Sequence, residues 1–516
     1  MKRIGLGAAM VVLAAAWAGT AEAQLACESL KGLQLPDVKI SAAVAGPSGR
    51  GMSPGSAQAA PVCTVTGVIG REINFVVVLP EAWNGKFAMG GQGGIAGSVA
   101  SQAGQSFGGL QQGYAIAGTD TGHVAERGGA PPTWAMDKWL GPERQVNYFH
   151  AAIHRVTVTS KAIVKARYGR DADKSYFAGC SNGGRQALIE AQHYPDDFDA
   201  VLAGAPATNI VTLTLPRVDA GRKIFPDPKN FSKRTMDNAD RLALGKAVLA
   251  KCDKDDGLED GILSDPESCK FDPATVACKG GQKDGCLTPG GLAAVRSWYG
   301  GAKENGVTYS PGFPVGGEGE GGWAGNLTGS ERASGDEGGS SYAPNSSMMR
   351  SLDFLRYFLA RPDWSYAGPS LASMKADLEP LSTYNSDNPD LSAFRRHGGK
   401  VLMFHGQIDP TISARGTAAY ADSIYKHDAS SKADVRLFMV PGMGHCGGGP
   451  GPQRVDWLGI LDKWATGGPA PEEVNASFAP QANGQGGGAR KLCAYPKKAV
   501  FKGTGDGRSP DQFECK

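Results

Sequence analysis

The chain has 516 residues, with 53 basic against 51 acidic side chains, 41% hydrophobic residues and 74 glycines. So even a charge balance argues against a nucleic-acid partner, while the length allows one large domain with a big insertion, or two to three domains, around an ample core. Glycine at roughly twice its ordinary share points to long loops.

Lys2 and Arg3, the apolar run Ile4 to Gly19 and then Ala21-Glu22-Ala23 make residues 1–23 a secretory signal peptide. The apolar run is short for a membrane span and no span-length run follows, so the expected mature chain, from Gln24, is soluble and secreted or periplasmic. Ten cysteines in an exported chain favour disulfides over metal thiolates. Roughly nine hundred pairings are formally possible. Proximity suggests Cys27 with Cys63, Cys252 with Cys269, Cys278 with Cys286 and Cys493 with Cys515, leaving Cys180 and Cys446.

After a loop-rich lead, Cys63 to Val68, Glu72 to Leu79 and Lys86 to Met89 read as strands, the last running into GGQGGIAG at Gly90 to Gly97. Gly91, Gly93 and Ala96 match a dinucleotide fingerprint only in degenerate form, with no partner acid at the right distance. A Gly-rich loop after an early strand instead suits backbone N–H groups, here those of Gly93 or Gly94, lying beside a nucleophile. Tyr114 to Gly118 is a further apolar run, followed by Asp120 and His123, which either line a site or hold the loop. Arg144 to Tyr168 reads as one long helix, with His150 and His154 four apart on it; without an H-E-x-x-H motif, packing or hydrogen bonding is the expectation for both.

Ser175 to Ala178 is strand-like, Gly179, Ser181 and Gly183 form G-x-S-x-G, Gly184 to His193 is helix-like until Pro195, and Phe198 to Leu202 is the next apolar run. A serine at such a strand-to-helix turn exposes its Oγ near helix N–H groups that favour developing negative charge.

From Thr208 to about Leu391 the strand rhythm disappears, giving an inserted lid (208–391) between two parts of a doubly wound core (24–207 and 392–516). Its aromatic residues, Trp298, Phe313, Trp323, Phe354 and Trp364 among them, are expected to form mainly the lid's own small core. Within it CDKDDGLEDGI carries Asp253, Asp256 and Asp260 around a glycine turn, hard ligands that with the carbonyls of Leu258 and Ile262 suit Ca²⁺. The EF-hand frame fails, because Cys252 and Lys254 fall where oxygen ligands are needed, and a solvated acidic loop fits the bare pattern equally well.

Doubly wound structure resumes with the strand Lys400 to Phe404 and HGQIDP, putting Asp409 just past its end, and with the strand Val435 to Val440 and PGMGHCGGG, putting His445 in the next loop. Ligands of open α/β sheets gather beyond the carboxyl ends of the strands, and Ser181, Asp409 and His445 follow the chain order of an α/β-hydrolase triad. His405 competes for the role of base, but it precedes the aspartate.

GCSNGGR at Gly179 to Arg185, HGQIDP at His405 to Pro410 and PGMGHC at Pro441 to Cys446 resemble the tannase and feruloyl esterase family over nearly the whole mature chain. The resemblance implies an α/β-hydrolase fold with a large lid and a disulfide joining Cys180 to Cys446. It also implies the other four pairs and a lid calcium on Asp253, Asp256, Leu258, Asp260 and Ile262. The implied activity is ester hydrolysis at Ser181, with an oxyanion hole from the N–H groups of Asn182 and of Gly93 or Gly94. The family's substrates are feruloyl esters, galloyl esters and the mono(hydroxyethyl) ester of terephthalate. The lid arginine segment that holds a carboxylate in the last case has no match here; Arg332, Arg350 and Arg356 are the substitutes on offer. A serine carboxypeptidase, or a non-catalytic binding protein on the same scaffold, are the rival classes.

Overall fold

The computed structural model describes residues 24–47, 61–99, 107–125, 131–282, 284–329, 345–480 and 487–516. The leader at 1–23 and Arg332 lie outside the described residues.

Nine strands form the central sheet: β1 (Val38–Pro47), β2 (Pro61–Ile69), β3 (Ile73–Pro80), β4 (Lys86–Gly90), β5 (Ala115–Thr119), β6 (Lys174–Cys180), β7 (Ala200–Gly204), β8 (Lys400–Gly406) and β9 (Val435–Val440). Their order is β1-β2-β3-β5-β4-β6-β7-β8-β9, with β1, β2, β3 and β5 paired antiparallel and every pair from β5 to β9 parallel. The parallel strands are buried on both faces, so they read as unbroken apolar runs. Along β6, Phe177 packs into the core on one face, with Met89, Val201 and Met403, while Tyr176 and Ala178 pack on the other, with Leu202 and Phe404. This is an α/β-hydrolase fold.

Strand β1 is a correction, since its segment reads as loop in the sequence. VKISAAVAGP breaks up Val38, Ile40 and Val44 with three alanines and one glycine, which have little β propensity, and the strand is half exposed at the sheet edge, where it pairs with β2. The long helix is a second correction. A helical turn at Gly141–Val146 passes through a π-helical turn, Asn147–Ala151, before α1 (Ala152–Tyr168). That turn buries Tyr148 and Phe149.

Helix α2 (Asn182–His193) follows the nucleophile turn, and α3 (Ile210–Ile224), α4 (Asn238–Cys252), α5 (Pro289–Gly300), α6 (Ser346–Asp353) and α7 (Leu371–Leu378) belong to the 208–391 segment. Helices α8 (Ala414–His427) and α9 (Trp457–Ala465) complete the layers. Trp298, Phe313, Trp323 and Phe354 lie in the core of the lid segment, but that core is not the lid's alone: Trp134, Tyr148 and Phe149 belong to the same cluster. Phe149 stacks on Tyr384 at 4.0 Å, and Trp134 meets Phe358 edge-on at 5.5 Å. Tyr148 and Phe149 come from the π turn and Trp134 from the short helical turn Thr133–Met136, and all three pack with the aromatic residues of the 208–391 segment in one apolar interior.

Five disulfides pair Cys27 with Cys63, Cys180 with Cys446, Cys252 with Cys269, Cys278 with Cys286 and Cys493 with Cys515. Among the described residues no helix is long and apolar enough to cross a membrane.

Candidate active site

Ser181 sits between β6 and α2 with φ +66° and ψ −125°, a conformation that costs a non-glycine residue energy and persists only when its surroundings enforce it. They do so by close packing. A Cβ on Gly179 would lie 2.6 Å from the Gly183 carbonyl carbon, and one on Gly91 would lie 2.8 Å from the Gly183 Cα. The Gly-rich loop after β4 and the start of α2 therefore touch backbone to backbone.

The structure brings Ser181, His445 and Asp409 together. Ser181 Oγ is 2.9 Å from His445 Nε2, and His445 Nδ1 is 2.7 Å from Asp409 Oδ2. Asp409 is fully buried, and its other oxygen accepts from the backbone N–H groups of Thr411 at 2.7 Å and Ile412 at 3.0 Å. Burial alone would push its carboxyl up, but the His445 charge and hydrogen bonds from His405 and His445 outweigh burial and hold it well below the usual carboxylate range. Cys446, next to His445, also has a positive φ of +61°, and its disulfide to Cys180 holds the two Cα atoms 6.0 Å apart.

His405 is not at the serine. It is completely buried, with Nε2 3.1 Å from Asp409 Oδ2 and 3.0 Å from the Ile412 carbonyl, and with Nδ1 accepting from the Thr417 hydroxyl at 2.7 Å. It thus shares with His445 the same carboxylate oxygen, Asp409 Oδ2. The lid contributes as well: Trp323 Nε1 donates to Ile408 O at 2.9 Å, and Arg217 donates to Thr411 O through Nε at 2.9 Å and through its terminal nitrogen.

The candidate oxyanion groups converge on the same serine. Gly93 and Gly94 line a cleft of about 540 Å³ with Phe107, Ser181, Arg350, His445 and the Cys180–Cys446 bridge. Among the described residues the backbone N–H groups of Asn182, Gly93 and Gly94 donate to no backbone carbonyl. The Asn182 side chain ties the turn to the Gly-rich loop: Nδ2 donates to Gln92 O at 3.0 Å, and Oδ1 accepts from Arg185 Nε at 2.8 Å. Tyr148 Oη reaches Gly94 O at 3.1 Å. Behind the serine a narrow recess is lined by Tyr148, Phe149, Ile210, Leu213 and Phe354, with Arg217 and Arg350 beside them.

Asp120 and His123 are loop holders. Asp120 accepts from Asn74 and from Gly122 N, and His123 Nε2 lies 2.8 Å from Ile95 O with its ring stacked on Trp134 at 3.8 Å, bracing the Gly-rich loop. Burial pushes the His123 imidazole down to about 4, so it is neutral near pH 7 and Nε2–H donates to that carbonyl. His150 and His154 bond Tyr194 Oη and Asp197, both at 2.7 Å. Sequence reasoning missed the clamp of His405 and Thr417 and the Tyr148–Arg185 support. The spacing of Asn182 and Arg185, three apart on a helix, was the one available signal for the latter.

The acidic loop of the lid lies between the Cys252–Cys269 bridge and Gly261, with Gly257 at φ +90°. Asp253 accepts from Gly261 N at 2.9 Å, Asp256 from Leu258 N and Ser264 N, both at 3.0 Å, and Asp260 from Ile262 N at 3.1 Å. Asp260 also pairs with the buried Arg490. Burial pushes the Asp253 carboxyl up against its bond from Gly261, and the charges of Asp260 and Asp256 add to the rise. Three carboxylates that repel one another across a short loop are a donor set suited to a hard cation. Even so, among the described residues no three His, Cys, Asp or Glu side chains are grouped to hold a metal.

The family model for "Tannase and feruloyl esterase" matches residues 58–516. The mono(2-hydroxyethyl) terephthalate hydrolase of Piscinibacter sakaiensis is 30% identical over 95% of this chain and 91% of its own. A probable feruloyl esterase of Arthroderma benhamiae is 33% identical over 85% and 81%. Among solved structures, an esterase from Aspergillus oryzae superposes with a TM-score of 0.80 at 26% identity, covering 95% of this chain and 99% of that one. Feruloyl esterase B from Aspergillus oryzae gives a TM-score of 0.81 at 24% identity over the same shares, which speaks to the fold. With the match running from β2 to the last residue, through the serine turn, the lid and the histidine loop, the chain belongs to the tannase and feruloyl esterase family of carboxylic ester hydrolases.

Proposed function

We propose that this protein hydrolyses carboxylic esters of aromatic acids through an acyl-enzyme on Ser181. The observation that carries the reading is the unbroken relay from Ser181 Oγ through the His445 imidazole to a buried Asp409 carboxylate. Ser181 Oγ attacks the acyl carbonyl while His445 Nε2 takes its proton, and the imidazolium returns that proton to the leaving alcohol. Water then attacks the acyl-serine with His445 as base, releasing the acid and restoring the hydroxyl. Asp409 keeps the Nδ1–H tautomer and stabilises the imidazolium, and the N–H groups of Asn182 and the Gly93–Gly94 turn receive the oxyanion.

The aromatic recess beside Ser181 supports an aromatic acyl group, in line with the feruloyl esterases among its relatives. A terephthalate half-ester is the second reading, favoured by Arg350. This exposed residue borders both cleft and recess and makes no hydrogen bond or ion pair among the described residues. Turnover of methyl ferulate, methyl gallate, a terephthalate half-ester and a short aliphatic nitrophenyl ester tests both. An enzyme fastest on the aliphatic ester, with none of the aromatic ones turned over, would sink the first reading. A half-ester kcat/KM unchanged in Arg350→Ala would sink the second.

Calcium is the proposed structural ion of the acidic loop, with Asp253, Asp256 and Asp260 and the carbonyls of Leu258 and Ile262 as its ligands; no step of the reaction passes through it. Export is part of the same reading, supported by the signal-like sequence at 1–23 and by five disulfides, which persist in an oxidising compartment. An amino terminus at Gln24 on protein recovered outside the cytoplasm is the expected outcome.

A further inference from the structure

Arg185 lies one helical turn beyond Ser181 on α2, is only 3% exposed, and pairs with no carboxylate among the described residues. A buried guanidinium without a counter-ion is costly unless its N–H groups find acceptors. Here they find three: Asn182 Oδ1 at 2.8 Å, Phe149 O at 2.8 Å and Tyr148 O at 3.2 Å. The rings of Tyr148 and Phe149 stand beside it, each centroid 5.3 Å from the guanidinium carbon. No proton transfer or bond change in ester hydrolysis uses this side chain, yet it is buried against the nucleophile turn.

The hydrogen bonds that start there run in one direction. A guanidinium can only donate, so it fixes the Asn182 amide with Oδ1 facing Arg185 and Nδ2 facing the Gly-rich loop, where Nδ2 donates to Gln92 O at 3.0 Å. The peptide that carries Gln92 O also carries Gly93 N–H, and in a planar trans peptide the two point opposite ways, so holding the carbonyl aims the N–H. Gln92 is held at its other end as well, its N–H donating to Gln186 Oε1 at 3.1 Å. Tyr148, whose carbonyl Arg185 also engages, has its Oη 3.1 Å from Gly94 O and 3.3 Å from Asn182 Oδ1. Both sides of the candidate oxyanion hole, the Asn182 turn and the Gly93–Gly94 loop, are therefore tied to one side chain.

We propose that Arg185 is the positioning residue of the oxyanion hole, setting the spacing between the Asn182 and Gly93 N–H groups through the Asn182 side-chain amide. This rests on the ester-hydrolase reading above and adds a residue to it. Arg185 touches neither substrate nor reacting atoms; its effect is on where two backbone donors stand when the carbonyl oxygen becomes negative, and such donors count only when their geometry is fixed in advance.

The test is a double-mutant cycle of Arg185→Met and Asn182→Ala, read on kcat with the ester that wild type turns over fastest and on the Ki of phenylboronic acid, whose tetrahedral adduct with Ser181 fills the oxyanion hole. Each substitution should lower kcat about a hundredfold in folded protein, keep KM within about threefold of wild type, and weaken phenylboronic acid by a factor similar to the loss in kcat. The double variant should lose little more than either single one. Losses that multiply to about ten-thousandfold would show that Arg185 does not act through Asn182, and overturn the proposal. A purely structural arginine would lower Tm while leaving kcat and Ki of the folded fraction within about threefold of wild type, which overturns it as well. Should Arg185→Met not fold, Asn182→Ala decides on the same two readouts. Absence of ester turnover in wild type would sink the ester-hydrolase reading and this proposal with it, whereas unimpaired turnover in the folded variants sinks this proposal alone.

Discussion

Two short loops in this molecule place aspartates where burial costs them, one a single carboxylate and the other three, and they treat them in opposite ways. Asp409 is sealed from water, yet two imidazoles and two backbone N–H groups donate to it, so the fold prefers it charged. Asp253 also receives a backbone N–H, but its near neighbours include Asp256 and Asp260, and the fold makes its charge harder to keep. Burial is a cost in both places. What differs is the sign of the partners, and only the first loop carries its own counter-charges in full.

The largest effect that would sharpen this contrast is on turnover. Asp409→Asn should lower kcat by about 10⁴ and Ser181→Ala by at least as much, while Asp253→Asn leaves kcat nearly unchanged. Equal damage from the Asp409 and Asp253 changes in folded protein would erase the distinction. Second comes the bridge beside the serine: Cys180→Ala with Cys446→Ala should cost on the order of a hundredfold in rate beyond any loss of folded protein, because two loops from distant parts of the chain lose their register. Smaller again is calcium removal. A chelator should lower Tm by a few degrees with kcat preserved, as expected for a ligand that binds only the folded loop. Indifference to chelator, with no calcium in purified protein, would leave the loop's carboxylates to the cations already beside them, Arg490 at Asp260 and Lys254 at Glu259.

The smallest effect is on pH dependence. A carboxyl raised in the fold binds its proton more tightly there than in the unfolded chain, so Asp253 disfavours folding once the pH exceeds its unfolded value, and acidification relieves that cost. Asp409, depressed in the fold, contributes stability that is fully present above about pH 4 and is lost only below it. In chelator, lowering the pH from about 7 to about 4, the ordinary aspartate value, should therefore cost wild type less Tm than it costs Asp253→Asn. With calcium bound, which needs the ionised carboxylates, that order should reverse.

The parallel half of the sheet and the three residues of the relay were legible because each lies where an unbroken apolar run meets a glycine- or proline-marked turn. Strand β1 was not, because alanines interrupt Val38, Ile40 and Val44 and half of the strand is exposed, so no unbroken apolar run marks it. The role of His405 was hidden for another reason. Four residues before Asp409 at a strand end, it reads as a rival base, and only its bonds to Thr417, Asp409 and Ile412 reveal that both ring nitrogens are engaged away from Ser181. The division of labour between core and lid was also less clean than the sequence implies. Trp323 and Arg217 bond the Ile408 and Thr411 carbonyls, so the 208–391 segment helps hold the Asp409 loop as well as lining the recess. Exchanging residues 208–391 wholesale therefore risks the chemistry along with the specificity.

The glycines around Ser181 carry an implication for reading related chains. Gly91, Gly179 and Gly183 are small because three stretches of backbone press together, and Gly184 meets the Gly204 carbonyl in the same way. None of these contacts involves the serine hydroxyl. A descendant that abandoned catalysis would be free to change Ser181, Asp409 or His445 but would still need every one of those glycines to fold. In this architecture the glycine frame is a marker of shape and the serine a marker of activity, so a chain with the frame intact and the hydroxyl gone is a folded, silent hydrolase rather than a failed one.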